Sequence, residues 1–260
     1  MGQAPFDRFC AALATWALRR PAVPGLVNAR LGPVAAVLRP EHDPFEGSGQ
    51  TLTSLLDAMR EQSGAMALAD VNRIWMFGQL AAMIARDEID GAVAEFGVYK
   101  GKTAKLLRLL CPERDLYLFD TFEGFDDRDL GDDGVDASGR RALDGAFKDT
   151  SEAAVRAFVG ECASTHYMPG WFPDSAGDLP RDTRFALVHV DCDLEQPARA
   201  ALEWFWPRLS PGGAMIFHDH GSGHWPGIAR AMDSFFADTP WSPVPMPDFS
   251  GSAIVRKGRG

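Results

Sequence analysis

The sequence lacks the features that mark secreted, disulfide-stabilised or membrane-spanning proteins. Only four of its 260 residues are cysteine and none forms a CxxC pair, so reduced thiols are expected rather than a disulfide framework. No apolar run approaches the roughly 20 residues that a membrane-spanning helix requires. Basic residues and prolines at 19–24 interrupt the apolar stretch near the start, which argues against a signal peptide. These absences predict a cytoplasmic protein with no membrane span.

Positive charge is also scarce. The chain carries 26 lysines and arginines against 36 aspartates and glutamates, a formal net charge of −10. A protein that binds a nucleic-acid backbone needs a basic face, so nucleic acid is not an expected partner. The hydrophobic content of 46% is that of an ordinary globular protein with a sizeable core.

Residues 1–50 differ in composition from the rest of the chain. Between Arg8 and Arg39 there are five arginines and no acid, and apolar residues recur at helical spacing around Leu13 and Trp16. Two interpretations remain open, a helical arm that packs on a partner subunit and an anchor at a membrane surface. Prolines divide the segment into short pieces, which favours the arm and, with it, a homo-oligomer. We therefore predict a helical arm and linker at 1–50 and a main domain at 51–260.

Strand-like and helix-like segments alternate from residue 91 onward. The predicted strands are 91–96, 115–120, 165–168, 185–190, 214–217 and 252–256, and the predicted helices are 51–59, 69–86, 103–110, 150–162, 198–209 and 226–237. The run 185–190 is apolar at nearly every position, which is typical of a central strand in a parallel sheet. The alternation predicts a Rossmann-like α/β fold with a mostly parallel, doubly wound sheet and a helical N-terminal extension.

The junction between the first strand and the next helix carries two glycines. Gly97 and Gly101 permit a tight turn and let a ligand approach the backbone closely. The pattern is neither GxGxxG nor a P-loop, so it suits a cofactor without phosphates, and Glu95 beside it can pair with an ammonium group. Asp120 ends the second strand, where a carboxylate can accept both hydroxyls of a ribose. Together these residues predict a nucleoside-type cofactor, although the glycines alone also fit a purely structural turn.

Acidic residues follow two neighbouring strands of the predicted sheet. Asp191 follows the central strand, and His218 and Asp219 follow the next one. The carboxyl ends of adjacent parallel strands meet at one crevice, and two carboxylates there repel each other unless a cation lies between them. Oxygen ligands suit magnesium, whereas an imidazole ligand shifts preference towards manganese, iron or zinc. The alternative is that Asp191 caps a helix and His218 is an ordinary polar residue.

Asp193 is the predicted general base. On a continuing strand it projects from the same face as Asp191, about 6–7 Å further along. One carboxylate can then bind the metal while the other removes the proton of a substrate hydroxyl.

The ordered series of motifs resembles a known family. The motifs are AEFGVYKG, LYLFDTFEGF, MPGWFPDS, VHVDCDLEQ, LSPGGAMIFHDHG, HWPGIARAMDSFF and FSGSAIV. They resemble the macrocin O-methyltransferase family of class I S-adenosylmethionine-dependent methyltransferases, which acts on sugars of macrolides and related antibiotics. The match runs from about Leu68 to Lys257, and residues 1–50 lie outside it.

The resemblance implies a function and a set of site residues. It implies S-adenosylmethionine as methyl donor, a divalent metal that is usually magnesium, and a small hydroxylated acceptor such as a sugar of a secondary metabolite. By position, Asp193 is the catalytic base and the metal ligands are Asp191, His218 and Asp219. The cofactor-binding positions are Glu95, Gly97, Gly101, Asp120, Thr121, Trp171, Phe172 and Asp191. The acidic stretch 126–149 corresponds to a mobile substrate lid.

The chain departs from the family at its second acidic turn. Where the family usually has Asp-Asp-Tyr, this chain has His218-Asp219-His220. The metal site therefore either contains one imidazole in place of a carboxylate or is weakened. Two further functions remain open, a metal-independent N- or carboxyl-methyltransferase and a non-catalytic cofactor-binding protein.

Overall fold

The structure is a computed structural model of the full chain. It describes residues 45, 48–51, 54, 55, 58, 70–130, 143 and 145–259. Residues 1–44 of the arm and linker predicted at 1–50, much of the predicted helix at 51–59, and residues 131–142 and 144 of the lid predicted at 126–149 lie outside the described residues. The division into an arm and a main domain therefore remains a prediction.

Helices and strands alternate through the described part of the chain. The helices are α1 Val71–Arg86, α2 Lys102–Leu110, α3 Glu152–Val159, α4 Glu195–Phe205 and α5 Gly227–Phe236. The strands are β1 Ala92–Phe96, β2 Leu116–Asp120, β3 Thr165–Pro169, β4 Phe185–Val190, β5 Leu209–Phe217, β6 Val244–Pro245 and β7 Ala253–Arg256. Two short 3₁₀ turns cover Asp174–Ala176 and Trp206–Arg208. Among the described residues, no helix combines the length and the apolar character needed to cross a membrane.

The strands form one seven-stranded sheet in the order β3-β2-β1-β4-β5-β7-β6. The first five strands of this order are parallel, and β7 and β6 are antiparallel additions at one edge. The predicted α/β class and mostly parallel sheet are confirmed. The strand order reverses between the neighbours β1 and β4, and ligands of such sheets bind outside the carboxyl ends of the strands at that point.

Burial on both faces of the sheet follows from the apolar strands. All six residues of β4 are buried, as expected of a central strand. Successive residues point to opposite layers, so Leu187 packs with α1 and α2 while Val188 and Val190 pack with α4 and α5. The start of α3 is capped by Ser151, whose hydroxyl accepts a hydrogen bond from the backbone N–H of Ala154 at 3.2 Å.

Two predicted boundaries near β5 are wrong. The strand predicted at 214–217 begins earlier, at Leu209, and includes residues 210–213. The reason is pairing with the end of the chain, because the N–H of Gly212 donates to the carbonyl of Lys257 and the N–H of Lys257 donates to that of Gly213, both at 2.9 Å. Helix α4 correspondingly ends at Phe205 rather than at residue 209.

Candidate active site

A cavity of about 700 Å³ opens at the carboxyl ends of β1, β2, β4 and β5. Its walls include most of the residues predicted for the site: Glu95, Gly97, Asp120, Thr121, Asp191, Asp193, His218 and Asp219. The predicted donor-binding residues and the predicted catalytic residues therefore line one continuous space.

Gly97 lets the ends of two strands touch. Its φ is +87°, and a Cβ at this position would lie 2.0 Å from the carbonyl oxygen of Asp191. Only glycine fits this contact between the end of β1 and the end of β4. Gly101 has a different role, because a Cβ there would meet Val155 and Val159 of α3 at 2.9 and 3.0 Å. Gly101 packs the start of α2 against α3 and lies behind the cavity lining.

Asp120 holds the loop that follows β1. Its Oδ2 accepts hydrogen bonds from the backbone N–H groups of Val98 at 2.7 Å and Tyr99 at 2.8 Å, and its Oδ1 accepts from Phe122 at 2.6 Å. A carboxylate has about four lone-pair sites, so one remains for a ligand hydroxyl. The next residue, Thr121, also lines the cavity and donates its hydroxyl hydrogen to the carbonyl of Gly124 at 2.6 Å.

Glu95 is a buried acid with one oxygen left over. Its Oε1 lies 3.0 Å from Nδ1 of His189, whereas its buried Oε2 has no hydrogen-bond partner among the described residues. Burial, and then the charge of Asp191, raises the pKa of Glu95 well above its usual value. An unsatisfied carboxylate oxygen in a cavity wall suits a cationic ligand.

The structure does not bring Trp171 and Phe172 into the cavity wall. The indole N–H of Trp171 donates to Asp129 at 2.9 Å, and Arg128 lies over the ring at 4.2 Å from its centroid. Phe172 is 2% exposed and stacks on Phe205 in the core with the ring centroids 5.4 Å apart. Trp171 therefore contacts Asp129 and Phe172 contacts Phe96, and these two partners line the cavity.

The two acidic turns meet as the sequence predicts. Nδ1 of His218 lies 2.8 Å from Oδ1 of Asp191 and 2.7 Å from Oδ2 of Asp219. One ligand atom from each of these three residues lies within 4.8 Å of the other two.

Asp193 lies beside the same cluster, but its backbone is in a turn and not on the continuing strand that was predicted. β4 ends at Val190, and Asp193 has a φ of +62° in the turn before α4, so it is not on a continuing strand. The turn places its carboxyl beside the cluster. Burial, and then the charges of Asp191 and Asp219, raises the pKa of Asp193 well above its usual value.

Arg73 of α1 is the member of the cluster that sequence reasoning missed. Its NH2 group donates to Oδ2 of Asp191 at 2.8 Å and lies 3.2 Å from Nε2 of His189, and its NH1 group lies 3.0 Å from Nε2 of His218. More than a hundred residues separate it from these partners. The available signal was an arginine on the apolar face of the predicted helix, in register with the buried residues Phe77 and Leu80.

The charged groups of the cluster shift one another's pKa values. Burial would raise the pKa of Asp191, but His218 and Arg73 hold it well below its usual range. Burial would lower the pKa of His218, but Asp191 and Asp219 raise it to about 10.

Four aromatic rings form the outer wall of the cavity. The ring centroids of Phe125 and Phe147 are 5.2 Å apart, those of Phe125 and Trp225 are 6.1 Å apart, and those of Tyr99 and Phe147 are 5.1 Å apart. Tyr99 follows β1, Phe125 and Phe147 both lie between β2 and α3, and Trp225 lies before α5, and all four line the cavity. We refer to Tyr99, Phe125, Phe147 and Trp225 as the aromatic wall.

The sheet order and the position of the cavity define a class I methyltransferase fold. The chain is similar to the O-methyltransferase NovP, with a TM-score of 0.61 and 24% identity over 73% of this chain and 81% of that one. It is also similar to the calicheamicin methyltransferase CalS11, with a TM-score of 0.54 and 23% identity over 79% of this chain and 91% of that one. These likenesses establish the fold.

The family follows from the sequence match over residues 46–247, which is more than half of the chain. The chain belongs to the macrocin-O-methyltransferase (TylF) family. The resemblance predicted from the motifs is thereby confirmed.

Two curated relatives are sugar or antibiotic methyltransferases by name. One is the 8-demethyl-8-(2,3-dimethoxy-alpha-L-rhamnosyl)-tetracenomycin-C 4'-O-methyltransferase of Streptomyces olivaceus, 28% identical over 53% of this chain and 56% of its own length. The other is the demethyldecarbamoylnovobiocin O-methyltransferase of Streptomyces niveus, 25% identical over 61% of this chain and 63% of its own length. The matched region thus spans less than two thirds of each relative.

Proposed function

We propose that this protein is an S-adenosylmethionine-dependent O-methyltransferase that acts on a sugar hydroxyl of a small secondary metabolite. The observation that carries the proposal is the single cavity that joins Glu95 and Asp120 to the cluster of Asp191, Asp193 and Asp219. One side suits a donor with an ammonium group and a ribose, and the other suits proton removal from a hydroxyl.

The donor side has groups that fit two polar parts of S-adenosylmethionine. The buried, unpartnered Oε2 of Glu95 fits the ammonium of the methionine portion. The remaining lone pair of Asp120 fits a ribose hydroxyl, and Gly97 leaves the backbone accessible. The bound donor supplies an electrophilic methyl group, so the protein has mainly to hold it in line with the acceptor oxygen.

Asp193 is the proposed general base. Its carboxylate accepts the proton of the acceptor hydroxyl as the oxygen attacks the methyl group. The turn before α4 fixes the position of the Asp193 backbone, and its short side chain has little freedom to move. The pKa of Asp193 is raised above that of an ordinary aspartate, which suits a general base because proton transfer is most effective when the pKa of the base lies near the working pH.

The cluster fits a divalent ion by its donor set. Two carboxylates and one imidazole, from Asp191, Asp219 and His218, converge within 4.8 Å. Such a set suits manganese or zinc as well as magnesium. A bound ion would lower the pKa of an acceptor hydroxyl and offset the repulsion among the acids.

The aromatic wall supports a glycoside as acceptor. Rings such as Trp225 and Phe125 offer apolar faces to the C–H surface of a sugar or to a planar aglycone. The name of one curated relative includes a rhamnosyl group, which favours a glycoside as acceptor.

The proposal is tested with purified protein, radiolabelled S-adenosylmethionine and a panel of deoxysugar glycosides. We expect transfer to glycosides that carry a free hydroxyl beside a second oxygen, and none to the matched deoxy compounds. Chelation by EDTA should reduce the rate, and added manganese or magnesium should restore it.

The outcomes distinguish the alternatives. Transfer that persists undiminished in EDTA would support metal-independent chemistry. Tight donor binding without transfer to any hydroxyl acceptor would support the non-catalytic alternative and contradict the proposal.

A further inference from the structure

The two carboxylate oxygens of Glu95 have different surroundings. Glu95 on β1 and His189 on β4 are partners in the register of these parallel strands, so both side chains point to the same face of the sheet. Nδ1 of His189 lies 3.0 Å from Oε1 of Glu95, whereas the buried Oε2 has no hydrogen-bond partner among the described residues. The histidine therefore determines which oxygen of Glu95 remains for a ligand.

The ring of His189 is itself held in place. It is fully buried, and it packs edge-to-face on Phe77 of α1 with the ring centroids 5.1 Å apart. Its second nitrogen, Nε2, lies 3.2 Å from the NH2 group of Arg73. Each ring nitrogen thus has a polar partner, and close packing restricts rotation of the ring.

His189 is not among the residues that line the cavity, although Glu95 and Arg73 both are. It does not reach a ligand in the cavity, so it can act on one only through these two partners. The last side-chain torsion of a glutamate is soft, and a carboxylate with neither oxygen held can turn about it. Without His189, Glu95 would offer no fixed oxygen to an ammonium group.

We propose that His189 is a positioning residue for the methyl donor, because it holds Oε1 of Glu95 and so directs Oε2 towards the ammonium group of the methionine portion. The inference rests on the proposed donor site and deepens it by one residue buried behind that site. A group that is already held loses less freedom when the ligand binds, so the donor binds more tightly. The effect of His189 is then confined to ligands that carry the ammonium group.

The test compares His189→Asn with His189→Gln. The amide of the first variant ends near the position of Nδ1 and can bond to Glu95, whereas the amide of the second ends near Nε2 and can bond only to Arg73. An amide can donate or accept, so the comparison is the same for every protonation state of the partners. His166→Gln is the matched control, because His166 also contacts an acid, with Nε2 at 2.9 Å from Asp115, but lies outside the cavity lining.

Two ligands separate positioning from folding. S-adenosylhomocysteine carries the amino-acid portion of the donor, and methylthioadenosine lacks it. In calorimetric titrations, His189→Gln should bind S-adenosylhomocysteine about tenfold more weakly than the wild type, the lower end of the effect of a hydrogen bond to a charged group. It should bind methylthioadenosine as the wild type does. His189→Asn and His166→Gln should match the wild type with both ligands.

The outcomes separate this inference from the proposed function. Equal affinity of His189→Gln and the wild type for S-adenosylhomocysteine would overturn the inference. An equal loss of affinity for both ligands would also overturn it, because the residue would then serve the fold alone. Failure of the wild type to bind S-adenosylhomocysteine would instead contradict the proposed donor site itself.

A second test needs no variant and therefore applies even if a substitution prevents folding. In a crystal structure of the wild type with S-adenosylhomocysteine, the ammonium nitrogen should lie within hydrogen-bond distance of Oε2 of Glu95, while Oε1 keeps its contact with Nδ1 of His189. An ammonium bound by Glu95 with that contact broken would overturn the role of His189. An ammonium bound away from Glu95 would overturn both that role and the proposed donor site.

Discussion

Backbone contacts shape one half of the cavity, and charged side chains shape the other half. The half at the ends of β1 and β2 is shaped by backbone, through the close approach at Gly97 and the N–H groups that Asp120 binds. The half at the ends of β4 and β5 is shaped by side-chain charge, through three acids balanced by Arg73 and His218. The backbone half should be sensitive to added volume, and the charged half to altered charge or hydrogen bonding.

The largest expected effect is in the charged half. Asp193→Asn removes the proposed proton acceptor while keeping the side-chain size, so kcat should fall about 100- to 10,000-fold. Donor affinity, measured by calorimetry, should stay within about threefold of the wild type, since Asp193 is not among the proposed donor contacts. Asp238, an exposed acid just after the end of α5 and outside the cavity lining, gives the matched control Asp238→Asn, which should leave transfer unchanged. Full activity of Asp193→Asn would remove this residue from the mechanism.

In the backbone half the strongest test is Gly97→Ala. The added Cβ meets the carbonyl of Asp191 at 2.0 Å, and the φ of +87° is unfavourable for alanine, so the free energy of unfolding should fall by about 3 kcal/mol. Gly145→Ala is the matched control. Its φ is +85°, but no atom of the described chain lies within 4 Å of the added Cβ, so it should lose only about 1–2 kcal/mol. Equal losses in chemical denaturation would show that the strand contact is unimportant.

Glu95→Gln probes the boundary between the halves. Loss of the carboxylate should weaken donor binding about 10- to 100-fold, the equivalent of about 1.5–3 kcal/mol for a hydrogen bond to a charged group. Calorimetric titration of the two proteins with S-adenosylmethionine measures this difference.

The same variant gives a pH signature in the donor-free protein. The pKa of Glu95 is raised in the folded state above its usual 4.5, so folding of the wild type favours the protonated acid. Wild-type stability should therefore decline as the pH rises above that value, whereas Glu95→Gln lacks this contribution. Melting temperatures of both proteins between pH 4 and 8 should diverge with rising pH in favour of the variant, and parallel curves would contradict the assignment.

The smallest effect is expected at the aromatic wall. Trp225→Ala should raise the KM for the acceptor about two- to tenfold and leave kcat nearly unchanged, because a ring contact contributes about 0.5–1.5 kcal/mol. Phe249 is 67% exposed and outside the cavity lining, so Phe249→Ala is a control that should leave KM unaffected. A change in kcat alone would assign Trp225 to the reaction rather than to acceptor binding.

The sequence predicts the backbone half better than the charged half. Strand ends and glycine spacing are local properties, so the positions of Glu95, Gly97 and Asp120 at one crevice follow from the alternation of strands and helices. Asp191 and Asp219 also follow, because adjacent parallel strands bring their ends together. These predictions need only the order of elements.

What escaped prediction depends on distant parts of the chain. Arg73 joins the cluster only once α1 packs on the sheet, and nothing near it in sequence marks Asp191 as its partner. The turn at Asp193 depends on where β4 stops, and the strand pairing of Gly212 and Gly213 depends on Lys257. The aromatic wall likewise assembles from loops whose convergence no local pattern reveals.

The contact at Gly97 has a further consequence for the proposed reaction. Because the Gly97 Cα and the Asp191 carbonyl leave no room for even a methyl group, the end of β1 cannot slide past the end of β4. The spacing between the donor side at β1 and the acidic cluster after β4 is then fixed by main-chain contact. The loops around the acceptor can therefore change in length and composition without altering this spacing.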